Sequence, residues 1–217
     1  MIQMMTIQRF KSIRSLAMEC AKVNVFIGPP DTGKTNILEA LYLLSRLGWG
    51  LPIDASLRLA PELGFGALFY RQFLDHPIEL AIALSPPTAS QDTNRLSLRA
   101  TLVGPHRLFF SGAILRTTRD ATLVLDEPDV FAFPPYPKAL GEMIAADPSN
   151  QFVLTTHNPY LLAAIAEKTS TEQLALFVCS RDRDGSTAAK HLSPEEVARV
   201  IEHGSSVFFN LDDFLGR

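Results

Sequence analysis

Cysteine is scarce in this chain. Of 217 residues only Cys20 and Cys179 are cysteine, far apart and in no Cys-x-x-Cys pair. That argues against a disulfide framework and against a zinc site, and both thiols are expected to be buried and reduced. A surplus of basic charge is also missing. Lys and Arg number 20 against 23 Asp and Glu, for a net charge of -3, so a globally basic nucleic-acid footprint is absent; only a local basic patch, or one supplied by a partner, is left open. No apolar run approaches the roughly 20 residues of a membrane span. The opening segment MIQMMTIQRFKS has no charged stretch ahead of an apolar one, as a secretory signal would. The expectation is a cytoplasmic protein with no membrane span. Internal repeats, low-complexity segments and long heptad runs are lacking too, which excludes a coiled-coil arm.

What is present suits a folded core. Hydrophobic residues make up 47% of the chain and charged residues 20%, which excludes wholesale disorder. The length fits one domain, 1–217, with a reduced lobe or insert at about 46–120. Short strand-type runs occupy residues 2–8, 15–20 and 22–27. The pattern then turns helical over 33–47, where Ile37, Leu38, Leu41 and Leu44 share a face. Residues 77–84 and 94–103 read as strands. In the second half, apolar runs at 121–126, 151–156 and 173–180 alternate with helical segments at 136–146, 159–168 and 193–203, with 187–192 pairing back antiparallel after an Asp-Gly turn. Ser193, Pro194, Glu195 and Glu196 give the last helix a start signal. This alternation predicts an α/β, three-layer fold: a mostly parallel central sheet covered on both faces, N-terminal antiparallel strands and a reduced helical subdomain.

Residues 28–35, Gly-Pro-Pro-Asp-Thr-Gly-Lys-Thr, match G-x-x-x-x-G-K-[ST] between a buried-type strand and a helix. Successive backbone N–H groups and a helix N-terminus attract a polyphosphate. Gly33 permits close backbone approach, Lys34 neutralises phosphate oxygens, and Thr35 offers a hydroxyl to Mg²⁺. Pro29 and Pro30 stiffen the early limb without removing the later donors. Gly28, Asp31, Thr32, Gly33, Lys34, Thr35 and Asn36 are the candidate nucleotide-binding residues. Asp31 belongs near phosphate only if its carboxylate points away or binds a backbone group.

Two further strand ends carry polar groups. Asp126 closes the run TLVLD, where a carboxylate suits Mg²⁺ held through water, and Glu127 is placed to orient or deprotonate an attacking water. His157 follows FVLTT, where a neutral imidazole can donate to a γ-phosphate. Arg9, Lys11 and Arg14, after the first strand, either flank an adenine or are solvated charges. The tail 207–217, rich in Phe and Leu, is expected to cover its own core or sheet edge.

With these residues in order, the chain resembles the RecF-like and SMC-like ATPases, a branch of the ATP-binding-cassette superfamily. MTIQRFKSIRSLAMECAKVNVFIGPPDTGKTNILEAL is similar to their opening, LVLDEPD to their Walker B segment and LTTHNPYLL to their histidine loop. The resemblance covers residues 1 to about 45 and about 108 to 192. It implies an ATP and Mg²⁺ site completed by a nucleotide-dependent homodimer acting on DNA or a partner protein. Asp126 and Thr35 would hold metal, Glu127 would be the catalytic base, His157 the γ-phosphate sensor, and Lys34 would act on phosphate. It further implies a signature segment, for which Ser111 and Gly112 are the candidates against a plain strand-to-helix turn. It implies a glutamine loop, for which Gln72 is the candidate against a solvated helix residue. Pro30 replaces the family's usual polar residue, and Ala132-Phe133-Pro134 stands where Leu-His-Pro is common. A nucleotide-gated binding module without turnover and the ATP-binding subunit of a transporter are the rival readings.

Overall fold

The computed structural model describes residues 1–48, 67–72, 76–84, 98–101, 118–130, 132–133 and 135–216. Among these the chain runs β1 (Ile2–Phe10), β2 (Ile13–Glu19), β3 (Val23–Ile27), α1 (Lys34–Gly48), β4 (Glu79–Leu84), β5 (Leu98–Thr101), β6 (Thr122–Asp126), α2 (Pro135–Ala146), β7 (Gln151–Thr155), α3 (Pro159–Lys168), β8 (Leu174–Arg181), β9 (Thr187–His191) and α4 (Pro194–His203). Two short helical turns, Gly204–Phe209 and Asp212–Leu215, follow.

Every residue of β3, β6 and β7 is buried, as are the first seven of β8. Such runs lack polar alternation because both faces of a parallel sheet are covered. They form the centre of a six-stranded sheet in the order β5-β6-β7-β3-β8-β9. The first five strands are parallel, and β9 returns antiparallel to β8. Alternate side chains divide the core in two. Val23, Val25 and Ile27 of β3, with Leu123, Leu125, Phe152, Leu154, Leu176 and Val178, meet apolar residues of α2, α3 and α4. Phe26, Val124, Val153, Ala175 and Phe177 meet Ile37, Leu38 and Leu41 of α1 and the inner face of a separate antiparallel sheet, β2-β1-β4. In that second sheet β2 alternates buried and exposed residues over Leu16–Glu19, the mark of a sheet with one dry face. Asn24 is the polar exception at the centre of β3. Its amide is satisfied by Ala21 N, Ala21 O and Phe152 O at 2.8–3.0 Å.

The expected strands and helices are therefore present, with shifts. Arg9 lies inside β1 rather than after it, and Arg14 lies in β2. The expected strand 94–103 is described only over Leu98–Thr101. Cys179 is fully buried, but Cys20 is only half-buried. Burial pushes the two thiols up to about 12 and about 11, so both stay protonated and inert at neutral pH. Val207, Leu211 and Phe214 of the tail join the core as expected, whereas Phe209 is 89% exposed.

α4 starts with a capping box. Ser193 Oγ accepts from Glu196 N at 3.3 Å, and Glu196 Oε2 accepts from Ser193 N at 2.9 Å. Ser193→Ala is expected to cost about 1 kcal/mol, read as a lower urea midpoint with an unchanged slope.

Candidate nucleotide site

β3 lies between β7 and β8 in the sheet, with β6 beyond β7. The parallel strands share a direction, so the turns after β3, β6 and β7 open at one edge, the place where α/β sheets form ligand crevices. A cavity of about 810 Å³ lies there. Its lining includes Asp31, Gly33, Lys34, Thr35, Asn36, Glu127 and His157.

The loop after β3 owes its shape to special backbone. Gly33 has φ +89°, and a Cβ there would lie 1.9 Å from Thr187 Oγ1 and 2.6 Å from Ser12 Oγ. Glycine is therefore required by the wall behind the loop as well as by any ligand in front. That wall is hydrogen-bonded: Ser12 and Thr187 hydroxyls are 2.7 Å apart, and Asn36 Nδ2 donates to Ser12 Oγ at 2.6 Å. Gly28 and Thr32 are not among the cavity's lining residues. Gly28 packs on the Cys179 carbonyl, and Thr32 Oγ1 donates to Pro29 O at 2.9 Å. Asp31 adopts φ 60°, which Asp tolerates better than most residues. Its carbonyl accepts from Arg181 Nε at 2.8 Å.

Lys34 opens α1, where Asn36 N and Ile37 N donate to the Gly33 carbonyl at 3.0 and 3.3 Å. Its ammonium is curled onto the loop, donating to Gly28 O at 2.9 Å and Pro29 O at 2.7 Å. Burial lowers its pKa below the usual lysine range, while the charges of Glu127, Asp126 and Asp31 push the other way. Thr35 Oγ1 lies 3.2 and 3.3 Å from the two oxygens of Asp126, which is 6% exposed. Thr155 Oγ1 donates to Asp126 Oδ1 at 2.7 Å and accepts from Glu127 N at 2.9 Å. Thr155 has no special signature in the sequence; its only cue is its place at the end of the β7 run. This all-oxygen set fits Mg²⁺. No group of three or more His, Cys, Asp or Glu among the described residues could cage a metal, and Mg²⁺ characteristically takes one or two protein ligands and completes its shell with phosphate oxygens and water.

Glu127 has φ 45°, a left-handed turn that a non-glycine residue adopts at some cost. His157 Nε2 lies 3.5 Å from Glu127 Oε1, with both side chains about one-third exposed. Burial and then the Lys34 charge lower the pKa of His157, with Glu127 and Asp126 opposing. The ring is thus held neutral at pH 7. Asn158 caps α3 directly after it, accepting from Tyr160 N at 2.9 Å, and Phe208 of the tail stands 6.2 Å from the imidazole, centroid to centroid.

Asp129 is buried beside this pair, and Thr156 Oγ1 donates to it at 3.1 Å. Burial, followed by the Glu127 charge, pushes its pKa up from 3.8 to about 6, against hydrogen bonds that lower it. A carboxyl raised on folding stabilises fully below its unfolded value, and that contribution is lost as pH rises through the folded one. Asp129→Asn keeps an acceptor for Thr156 and removes the charge. It is expected to raise the melting temperature at pH 8, by about 2–4 °C per kcal/mol recovered, with the gain fading between pH 6 and 4.

Gln72 lies in the turn Tyr70–Gln72, with its side chain outside the described residues, and Ser111 and Gly112 are outside them altogether. Of the three basic residues near the first strands, Lys11 alone lines this cavity, paired at 2.7 Å with the buried Glu39.

The fold is that of a known class. The SMC head domain from Thermotoga maritima is similar at a TM-score of 0.50 and 12% identity, over 88% of this chain and 99% of that one. An SMC head solved with the C-terminal winged-helix domain of ScpA is similar at 0.57 and 12% identity, over 91% and 99%. No protein-family model and no curated protein matches the sequence. The chain thus has the fold of SMC head domains. No helix among the described residues is long and apolar enough to cross a membrane.

Proposed function

We propose that this chain is a cassette ATPase that binds and hydrolyses Mg²⁺-ATP, and that its turnover requires a nucleotide-dependent homodimer. The observation that carries the reading is the meeting of Lys34, Thr35, Glu127 and His157 from three strand ends at one cavity, with the buried Asp126 behind Thr35. Mg²⁺-ATP, when bound, would supply the phosphoanhydride and a divalent cation that offsets the negative charge of its phosphates. Lys34 is positioned to exchange the carbonyls of Gly28 and Pro29 for phosphate oxygens. Thr35 and Asp126 would hold the metal, with Thr155 fixing the orientation of Asp126. Glu127 takes a proton from water, and neutral His157 donates a hydrogen bond from the same edge. An open cavity face supports the dimer: a second copy laid over it would exclude bulk water and strengthen the electrostatic interactions inside.

The reading includes one domain over 1–217 with a reduced lobe at about 46–120, and a cytoplasmic setting. Its partner is DNA or another protein, and the winged-helix domain bound to one similar head illustrates the kind of protein such a surface accepts. Ser111 and Gln72 belong to the proposal as the signature and glutamine-loop residues. The test is phosphate release across protein concentration. Specific activity is expected to rise with concentration and to vanish in EDTA. Nucleotide binding without release at any concentration would make the chain a gated binding module instead.

A further inference from the structure

A second cavity, of about 510 Å³, lies beside the first on the antiparallel sheet. Arg9, Arg14, Arg71 and His76 line it, with Tyr70 and a single carboxylate, Asp184. Arg71 alone lines both cavities. We propose that this cavity is a binding site for a second phosphate-bearing ligand, a small molecule up to nucleotide size, distinct from the ligand of the phosphate loop. The proposal does not depend on the hydrolytic reading.

Four observations carry it. Guanidinium groups are the side chains best shaped for bidentate phosphate recognition, and three converge on one concavity. Their present partners are exposed and exchangeable: Arg14 pairs with Asp184 at 3.1 Å, both more than half exposed, and Arg9 with the exposed Glu79 and with Pro77 O at 2.6 Å. Exposed pairs of this kind are weakly held. Arg9 and Arg71 both sit on left-handed backbone, φ 57° and 49°, which non-glycine residues adopt at a cost and which recurs at ligand clamps. Finally, Tyr70 lines the cavity, and its hydroxyl is buried with no hydrogen-bond partner among the described residues, the kind of unpaired polar group that calls for an explanation. The volume lies within the range of about 300–1,000 Å³ usual for small-molecule sites. The net charge of -3 disfavours a long polyanion, whose binding needs an extended basic surface.

The probe is inorganic pyrophosphate, titrated calorimetrically into the full chain. Wild type is expected to bind two equivalents. Lys34→Ala is expected to lose the phosphate-loop equivalent only, and Arg14→Ala to weaken the other tenfold or more while sparing the first. A single equivalent lost with Lys34→Ala, or a second one that survives Arg14→Ala, would overturn the proposal. A parallel titration with a 20-nucleotide single strand separates the sources. Oligonucleotide binding that depends on Arg14, in the absence of pyrophosphate binding there, would also overturn it. A wild-type chain that binds a single equivalent, unaffected by Lys34→Ala and lost with Arg14→Ala, would count against the nucleotide site and leave this one standing.

Discussion

Glu127→Gln is expected to leave ATP binding intact, to reduce phosphate release by about 10²–10⁴-fold, and to accumulate the ATP-bound dimer. Glutamine keeps the size of glutamate but cannot take a proton. The Glu127 backbone N–H stays bonded to Thr155, and Asp126 stays bonded to Thr35 and Thr155, so metal retention survives. His157 stands 3.5 Å away on another strand end, and burial lowers its pKa, so it is a weaker base at a different position. Turnover within tenfold of the parent rate would show that another group accepts the proton.

Lys34→Ala is expected to weaken ATP binding by about 10²–10⁴-fold, since each charge-assisted hydrogen bond to phosphate contributes roughly 1.5–3 kcal/mol and this ammonium can make two. Folding should lose about 1–3 kcal/mol. The substitution removes a desolvated cation but leaves the buried Gly28 carbonyl without this donor, while the exposed Pro29 carbonyl keeps Thr32 Oγ1. Equilibrium dialysis with ATP, paired with urea unfolding, separates the two effects. Unchanged affinity with a lower unfolding midpoint would make Lys34 a structural brace of its loop.

The legible part of this protein was the part in which chemistry sits next to pattern. Parallel strands buried on both faces leave unbroken apolar runs, so β3, β6, β7 and β8 were readable. Gly33, Lys34 and Thr35 lie in the motif loop and helix start after β3, Asp126 and Glu127 at the end of β6, and His157 just past β7. The illegible part joins residues distant in sequence. Ser12 meets Thr187 across 175 positions to form the wall that forces Gly33 to be glycine. Thr155 orients Asp126 from another strand, with no cue beyond its place at the end of its run. Arg9 and Arg14 read from the sequence as either flanking an adenine or solvated; they line a different cavity because β1 runs on through Phe10 and carries Arg9 in its sheet.

The central claim is that the turns after β3 and β6 close on one metal–phosphate unit. Pulsed electron paramagnetic resonance with Mn²⁺ in place of Mg²⁺ tests it directly, using the full chain and a slowly hydrolysed ATP analogue. One Mn²⁺ per chain should be retained only with nucleotide, should show coupling to phosphorus, and should be lost at least tenfold more readily in Asp126→Asn. Mn²⁺ held without nucleotide, or held equally well by Asp126→Asn, would contradict the account.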